Sequence, residues 1–228
     1  SPRPASIESI RRFILQANTK SYWSASTDKL ETRQHRLIFT TEFESSDQFT
    51  VSVSDDFEML TRPFNIANGV TLQPGKYDFT SYQTSYRLGT QRKVSGALSL
   101  RIGDFWSGKN TSIGISSGRI ELSPQLSLEP SYSINRVELP EGDFRTELGR
   151  LRITYTLSPR MYVGGLVQYN SSQSSLSTNF RFRWEWAPGS ELFVVYSDDR
   201  DTNPFDRPDS FELRNQGWAI KINRLFQI

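Results

Sequence analysis

Arginines recur at every second position in two polar runs of the sequence. Arg150 and Arg152 stand in one run, and Arg181 and Arg183 stand in the other. Alternate residues of a β-strand point to the same face, so each pair projects from one side of its strand. A row of guanidinium groups attracts anions to a pore. The alternative is a structural network in which nearby carboxylates neutralise the arginines, and the sequence leaves both interpretations open.

Other charged residues occupy the same alternating positions and extend this polar set. A closed protein core does not hold so many charges, because burying each of them without a partner is costly. We therefore expect these residues to line a water-filled or charge-laced interior. The candidate lumen-lining residues are Arg36, Glu42, Arg101, Glu129, Arg150, Arg152, Arg181, Arg183 and Glu185.

Catalytic chemistry has little support. The single histidine, His35, precedes Leu37 and Phe39 on an apolar face, and the serine and asparagine pattern of a barrel lipase does not surround it. The chain contains no cysteine, which excludes a disulfide scaffold and a thiolate metal site. We expect the protein not to be an enzyme and to have no catalytic residue and no cofactor.

An acidic segment at residues 198–215 is the candidate for a metal site. Carboxylates suit Ca²⁺, but arginines interleave with them and the spacing is not that of an EF-hand loop. A loop that pairs its own charges is the favoured interpretation, with a calcium or lipopolysaccharide-bridging site as the alternative, and no metal site is predicted. The charged residues concerned are Asp198, Asp199, Arg200, Asp201, Asp206, Arg207, Asp209 and Arg214.

The elements that carry these residues show a period of two. In one segment, Phe180, Phe182, Trp184 and Trp186 alternate with Asn179, Arg181, Arg183 and Glu185. Such a pattern predicts strands with one apolar face and one polar face. About twelve strands are predicted, at residues 11–23, 34–43, 49–59, 77–88, 94–102, 112–120, 126–135, 148–157, 161–169, 176–186, 191–197 and 216–228.

The predicted connections alternate between short and long. The short ones contain Pro124, Pro159, Pro188 and Gly189, which are residue types of tight turns. This rhythm predicts an up-and-down meander with tight turns at one end and long loops at the other. The predicted connections at the long-loop end are 24–33, 60–76, 103–111, 136–147, 170–175 and 198–215.

Composition limits the class of protein. The chain has 228 residues, of which 36% are hydrophobic and 13% aromatic, and its formal net charge is +2. This near-neutral charge provides no basic field for nucleic acid. No run of about eighteen apolar residues is present, which excludes a helical membrane protein.

Strand length and aromatic placement indicate a membrane. Soluble strands average about five to six residues, whereas a tilted strand needs about nine to eleven to cross a bilayer, and most predicted strands have the longer value. Aromatic residues fall near predicted strand ends, as in the interfacial girdles of transmembrane barrels. The girdle candidates are Trp23, Tyr155, Trp186 and Trp218. We therefore expect an all-β, antiparallel, up-and-down transmembrane β-barrel with short periplasmic turns and long extracellular loops.

The C-terminal strand carries a further sign. Its apolar face resembles the recognition signal of outer-membrane barrels, which usually ends on Phe. On this basis we expect the C-terminus, and with twelve strands the N-terminus, in the periplasm. The chain opens without a secretory signal, so we expect a mature or excised piece. The apolar set is Trp218, Ile220, Ile222, Phe226 and Ile228.

Several motifs between Tyr77 and the end match one family. They are Gly103-Asp104-Phe105, Leu139-Pro140-Glu141-Gly142-Asp143-Phe144, Leu166-Val167-Gln168-Tyr169-Asn170, Arg181-Phe182-Arg183-Trp184-Glu185-Trp186 and Pro188-Gly189-Ser190-Glu191-Leu192-Phe193-Val194-Val195-Tyr196. On these motifs the segment resembles the C-terminal outer-membrane barrel that follows a family-nine-like carbohydrate-binding domain in large surface proteins of Gram-negative bacteria. The resemblance implies an outer-membrane barrel and supplies no catalytic residues. Because family members are longer, residues 1–228 are expected to be one barrel domain, either complete or the C-terminal part of a longer protein.

Two functions fit this expected fold. The first is a porin-like passive pore for small polar solutes. The second is a non-conducting anchor or scaffold, filled by its own charged side chains, for a surface complex or a missing N-terminal domain. Twelve strands lie between filled barrels of about eight strands and open channels of about sixteen, so strand number does not decide between them.

The same expectations define location and partners. We expect the chain in the bacterial outer membrane, where its partners are outer-membrane lipid and lipopolysaccharide. Protein partners are expected at the surface or at the periplasmic face. Nucleic acid is not expected as a partner.

Overall fold

A computed structural model describes residues 7–203 and 211–226. The structure is all-β and antiparallel, with 77% of the residues in strands, as the alternating pattern predicted. Its strands are β1 (Ile10–Trp23), β2 (Leu30–Phe43), β3 (Gln48–Leu60), β4 (Phe64–Ala67), β5 (Val70–Leu72), β6 (Gly75–Leu88), β7 (Val94–Phe105), β8 (Gly108–Glu121), β9 (Leu126–Leu139), β10 (Gly142–Ser158), β11 (Met161–Asn170), β12 (Ser175–Ala187), β13 (Ser190–Asp201) and β14 (Leu213–Asn223). The predicted residues Asp206, Arg207, Asp209 and Ile228 lie outside the described residues.

One 12-stranded sheet contains all strands except β4 and β5, which form a two-stranded hairpin of their own. The order in the sheet is β1-β2-β3-β6-β7-β8-β9-β10-β11-β12-β13-β14, so sequence neighbours are also sheet neighbours. This order confirms the predicted meander. Within the described residues β1 and β14 do not pair with each other, so closure of the sheet into a barrel remains a prediction.

Among the residues that the structure describes, no helix has the length and apolar character needed to cross a membrane.

The chain divides into two compact units. The first comprises residues 1–92, 96–115 and 134–146, and the second comprises residues 93–95, 116–133 and 147–228.

The first unit has one apolar face, formed by alternate residues of β1, β2, β3, β6 and β7. Strand register places these side chains in rows across the sheet. Leu15 in one row is 69% exposed and Tyr82 in the next is 57% exposed, so the described residues do not bury this face. The two rows are Leu15, Phe39, Val51, Thr84, Leu100 and Ala17, Leu37, Val53, Tyr82, Ile102.

The second unit repeats this arrangement over β10 to β14. Trp218 and Ile222 in its apolar face are each 69% exposed. The opposite surface, which carries the intervening residues of the same strands, is the polar face of each unit. Two apolar rows of the second unit are Ile153, Gly165, Phe180, Tyr196, Trp218 and Tyr155, Val163, Phe182, Val194, Ile220.

Burial of apolar side chains is confined to a small part of the described chain. The buried hydrophobic residues there are Val70, Leu72, Ala97, Val137 and Leu139. Four of them form one cluster in which the β4–β5 hairpin contacts β9. The hydrophobic core of the described chain is therefore this hairpin contact and not the large apolar faces.

The β4–β5 hairpin packs on the polar face of the first unit. The Trp106 ring centroid lies 6.0 Å from that of Phe64 in β4 and 5.3 Å from that of Tyr77 in β6. Tyr77 has the same strand parity as Ser81 and Gln83, which lie on the polar face. Segment 61–74, predicted as a loop, thus contains a folded hairpin that lies against the sheet.

Two predicted long loops, 103–111 and 136–147, are wrong. β7 and β8 are joined by 106–107 alone, and β9 and β10 by 140–141 alone. Here the alternation reverses, because the face that is polar elsewhere becomes apolar where the hairpin covers it. Val137 and Leu139 are buried on that side, and Arg136 and Glu138 form a 2.9 Å salt bridge on the exposed side. This reversal is the reason that the strand predicted from the period-2 pattern ends at residue 135.

A buried carboxylate joins two short turns of the first unit. Asp47 lies in the turn after β2 and is 4% exposed. Its carboxylate accepts hydrogen bonds from the Gly89 backbone N–H at 2.7 Å, the Arg92 guanidinium at 2.7 Å and the Tyr86 hydroxyl at 3.1 Å. The bond from the Gly89 N–H, followed by those from Ser45 and Tyr86 and the charge of Arg92, holds the pKa of Asp47 below its usual value against the opposing effect of burial.

This lowered pKa predicts a pH-dependent contribution to stability. A carboxylate with a depressed folded-state pKa stabilises the fold above its unfolded pKa of about 3.9, and the contribution is lost as pH falls through the folded value. We expect Asp47→Asn to lower the urea midpoint of unfolding at pH 7 and the difference from wild type to shrink below about pH 4. Asp28→Asn, at an exposed turn position, is the control, and a difference that stays constant with pH would contradict the assignment.

Candidate functional site: the polar faces

The polar face of the first unit is closely hydrogen-bonded. The Gln34 amide donates to Asp56 at 2.7 Å, and the Arg101 guanidinium donates to Gln83 at 2.9 Å. Arg36 donates to Ser52 at 3.3 Å. The cavity among these side chains has a volume of only about 50 Å³. Two predicted lumen-lining residues, Arg36 and Arg101, are therefore held in a network across β2, β3, β6 and β7.

Glu42 pairs with arginines of β1 at the short-turn end of the same face. Arg12 contacts it at 2.6 Å and Arg11 at 3.1 Å. Glu42 is itself buried, and a buried carboxylate needs such partners to remain charged. The pairing gives Glu42 a structural role at the junction of β1 and β2.

The second unit has a more open polar face. Arg150 lies in a cavity of about 500 Å³ whose other walls are polar or glycine, apart from Leu148 and Tyr169. Gln168 pairs with Arg150 across the strands, and Ser177 lies opposite Gln168. Among the described residues, no hydrogen bond or salt bridge holds the Arg150 side chain. This region offers hydrogen-bonding groups to a solute.

A second cavity, which we call the arginine pocket, has a volume of about 230 Å³. Its side walls are Arg152 and Thr154 from β10 and Asn179 and Arg181 from β12. Gly164 of β11 forms its floor, because Thr154 pairs with Gly164 and Gly164 pairs with Arg181. The remaining lining residues are Tyr162, Gly165 and Leu166.

The remaining charged candidates of the second unit are paired. Arg183 contacts Glu191 at 2.9 Å and Glu185 at 3.9 Å. Glu129 contacts Arg152 at 3.9 Å, which is long for a salt bridge. Arg183 thus belongs to a structural charge network. Arg150 and Arg181 have no charged partner among the described residues, as expected for arginines that attract anions.

The aromatic candidates are exposed and differ in position. Trp23 ends β1, and Trp186 lies next to the end of β12, with its ring 5.9 Å from that of Trp184. Tyr155 is near the end of β10 on the apolar face. Trp218 was predicted near a strand end, but it lies in the middle of β14 with its ring 4.5 Å from that of Tyr196. The reason is that β14 begins at Leu213, earlier than the pattern indicated.

His35 and the acidic segment, the remaining candidates for catalysis or metal binding, contact neighbouring side chains. His35 lies beside Thr19, 3.1 Å from its hydroxyl. Asp198 pairs with Arg200 at 2.9 Å and Asp201 with Arg214 at 2.7 Å, so carboxylates of the acidic segment do pair with its arginines. In the described part of the chain no three His, Asp or Glu side chains are grouped to hold a metal ion.

The hairpin residues were not recognised from the sequence as part of the site. Their signal is Asn68-Gly69 between the apolar segments 64–67 and 70–72, a strong hairpin indication. Gly69 has φ +77°, a left-handed conformation that favours glycine at a tight turn. The signal lay inside the predicted 60–76 loop.

Comparison of the chain with protein-family models and with curated proteins finds no match.

Proposed function

We propose that the chain forms an outer-membrane β-barrel whose polar faces line a lumen that passes small polar solutes, as in a porin-like passive pore. One observation supports this above all others: many large apolar side chains of the sheet are exposed, whereas four of the five buried hydrophobic residues of the described chain lie in the hairpin contact. Exposed apolar surfaces of this extent mark interaction with a protein or a membrane. Lipid is the favoured partner, because the rows cross five consecutive strands in each unit.

The length of the apolar faces along the strands fits the thickness of a thin bilayer. The face of β12 that carries Leu176, Phe180, Phe182, Trp184 and Trp186 extends over about 34 Å at about 3.4 Å per residue, or about 26 Å along the bilayer normal at a strand tilt of about 40°. Known outer-membrane barrels have an apolar band of about 25 Å, and the bacterial outer membrane is thinner than an average bilayer. The strands extend beyond this band, since β10 has 17 residues.

Closure of the sheet is part of the proposal. In the hydrocarbon region every backbone polar group needs a partner, so spanning sheets close into barrels. We propose that β1 and β14 pair in the membrane, either with each other or through further strands of a longer protein. The outer-membrane barrel family that the sequence resembles fits either arrangement.

A non-conducting anchor or scaffold is the second candidate, and two observations favour it. The hairpin lies on the polar face of the first unit, and the side chains of that face hydrogen-bond to one another. Both reduce the room for solutes. The open cavities of the second unit favour the pore.

Single-channel recording of the refolded chain in a planar bilayer tests the pore. We expect steady, ohmic conductance steps from protein whose gel mobility changes on heating. Silence from such heat-modifiable protein would contradict the pore and support the scaffold. Silence together with the absence of a heat-modifiable form would show that this chain does not close a barrel alone and would leave closure through further strands of a longer protein.

A further inference from the structure

We infer that the arginine pocket of the second unit binds a small oxyanion of the phosphate type. Two arginines line the pocket, Arg152 on β10 and Arg181 on β12. The two strands are separated by β11, which places their backbones about 10 Å apart at about 4.8 Å per strand spacing. Two arginine side chains reach across half that distance, so both can contact one anion above Gly164.

The charge in the pocket is not neutralised from within. Its lining contains no Asp or Glu, and all its lining residues are described. Arg181 has no hydrogen bond or salt bridge in the described chain, and Arg152 has only the 3.9 Å contact to Glu129. Structural arginines of the same protein have much closer carboxylates, as Arg12 has with Glu42 at 2.6 Å. The two guanidinium groups repel each other until an anion lies between them.

The neutral groups of the pocket suit the same ligand. Thr154 offers a hydroxyl, Asn179 an amide and Tyr162 a phenol, all of which can donate to an oxyanion. Guanidinium groups bind tetrahedral oxyanions through paired hydrogen bonds. Phosphate, sulfate and small phosphorylated solutes share this chemistry.

Gly164 makes the cavity possible. A Cβ built there would meet nothing closer than the Arg181 carbonyl oxygen at 4.0 Å. A Cβ at this position therefore meets no clash, and we expect a larger side chain to extend from it into the cavity and occupy the space of the ligand. This allows the pocket to be filled while both arginines are kept.

Equilibrium dialysis with radiolabelled inorganic phosphate tests the inference on the refolded full chain. The detergent is octyl glucoside, which carries no phosphate, and low ionic strength limits screening. We expect saturable binding that weakens by at least about tenfold in Arg152→Gln/Arg181→Gln, since each bond to a charged group contributes strongly. Gly164→Leu is expected to cause a similar loss. Heat-modifiability on gels confirms that each variant is folded.

Two controls match these changes. Arg160→Gln removes a positive charge in the turn between β10 and β11, outside the pocket. Gly217→Leu makes the same replacement as Gly164→Leu on the polar face of β14, where a Cβ would meet only the Ser197 hydroxyl at 3.8 Å. Both controls are expected to keep phosphate affinity within about twofold of wild type, because neither touches the pocket. Absence of saturable binding in wild type, or equal binding in all variants, would overturn the inference.

The inference rests on the proposed pore only for its physiological meaning. Experiments can reject phosphate binding and the pore independently of each other. In planar bilayers with chloride as the carrier, phosphate is expected to reduce the wild-type conductance and to have less effect on Gly164→Leu. Phosphate binding by protein that never conducts would retain the pocket and reject the pore. Conductance without phosphate binding would retain the pore and reject the pocket.

Discussion

Val194→Arg is expected to lower the free energy of unfolding in lipid bilayers by about 2–4 kcal/mol. Val194 lies on the apolar face of the second unit between Phe182 of β12 and Ile220 of β14. This row is central in the apolar band, with further apolar rows on both sides. A charge there would face hydrocarbon at the depth where its cost is greatest. Urea titration of protein folded into lipid vesicles, followed by tryptophan fluorescence, measures the loss.

Val195→Arg is the matched control. It makes the same replacement at the next position of the same strand, but Val195 points to the polar face between Arg181 and Ala219. We expect a cost below about 1 kcal/mol, since the new side chain meets water and is only weakly repelled by Arg181. An equal cost at both positions would contradict a lipid-facing surface.

Leu72→Ala is the second change with a large expected effect. Leu72 is completely buried, at 0% exposed, in the contact between the hairpin and the sheet. Removing a buried leucine side chain costs about 2–5 kcal/mol. We expect this loss of stability to weaken the contact between the hairpin and the sheet, because the hairpin takes no part in the pairing of the 12 strands. Hydrogen exchange should rise in residues 64–72 and stay unchanged in β11 and β12.

Thr71→Ala is the control for this change. Thr71 is the neighbouring residue of β5 and is only half-buried, so its replacement is expected to leave hairpin exchange near wild type. The same variants separate the two functional candidates. If the hairpin restricts the lumen, Leu72→Ala should raise the single-channel conductance or create it in a silent protein. Unchanged conductance would show that the hairpin does not lie in the path of solutes.

The period-2 pattern of the sequence predicted most of the strands and their two faces. It placed the apolar and polar residues of β12 on opposite faces, and the register confirms that these faces continue across neighbouring strands. It failed at 103–111 and 136–147, where alternation continues but its sense reverses. A reversal depends on what covers each face, and here the cover is a hairpin from elsewhere in the chain.

The charge network was less predictable than the faces. Alternation assigned Arg181 and Arg183 to one face, but it does not say which of them meets a carboxylate. That depends on register, since Glu191 lies opposite Glu185 and thereby comes within reach of Arg183. Arg181 lies opposite Val195 and Gly164 instead. The pocket follows from these cross-strand neighbours, which no single strand reveals.

The agreement between sheet order and chain order has a consequence for assembly. Except for the hairpin inserted after β3, each strand pairs with the strand that precedes it in the chain. The sheet can therefore grow by adding one strand at a time to the edge formed by the preceding strand. Unpaired peptide groups are costly in hydrocarbon. This mode of growth limits them to the first strand and the most recently added strand at every stage of insertion.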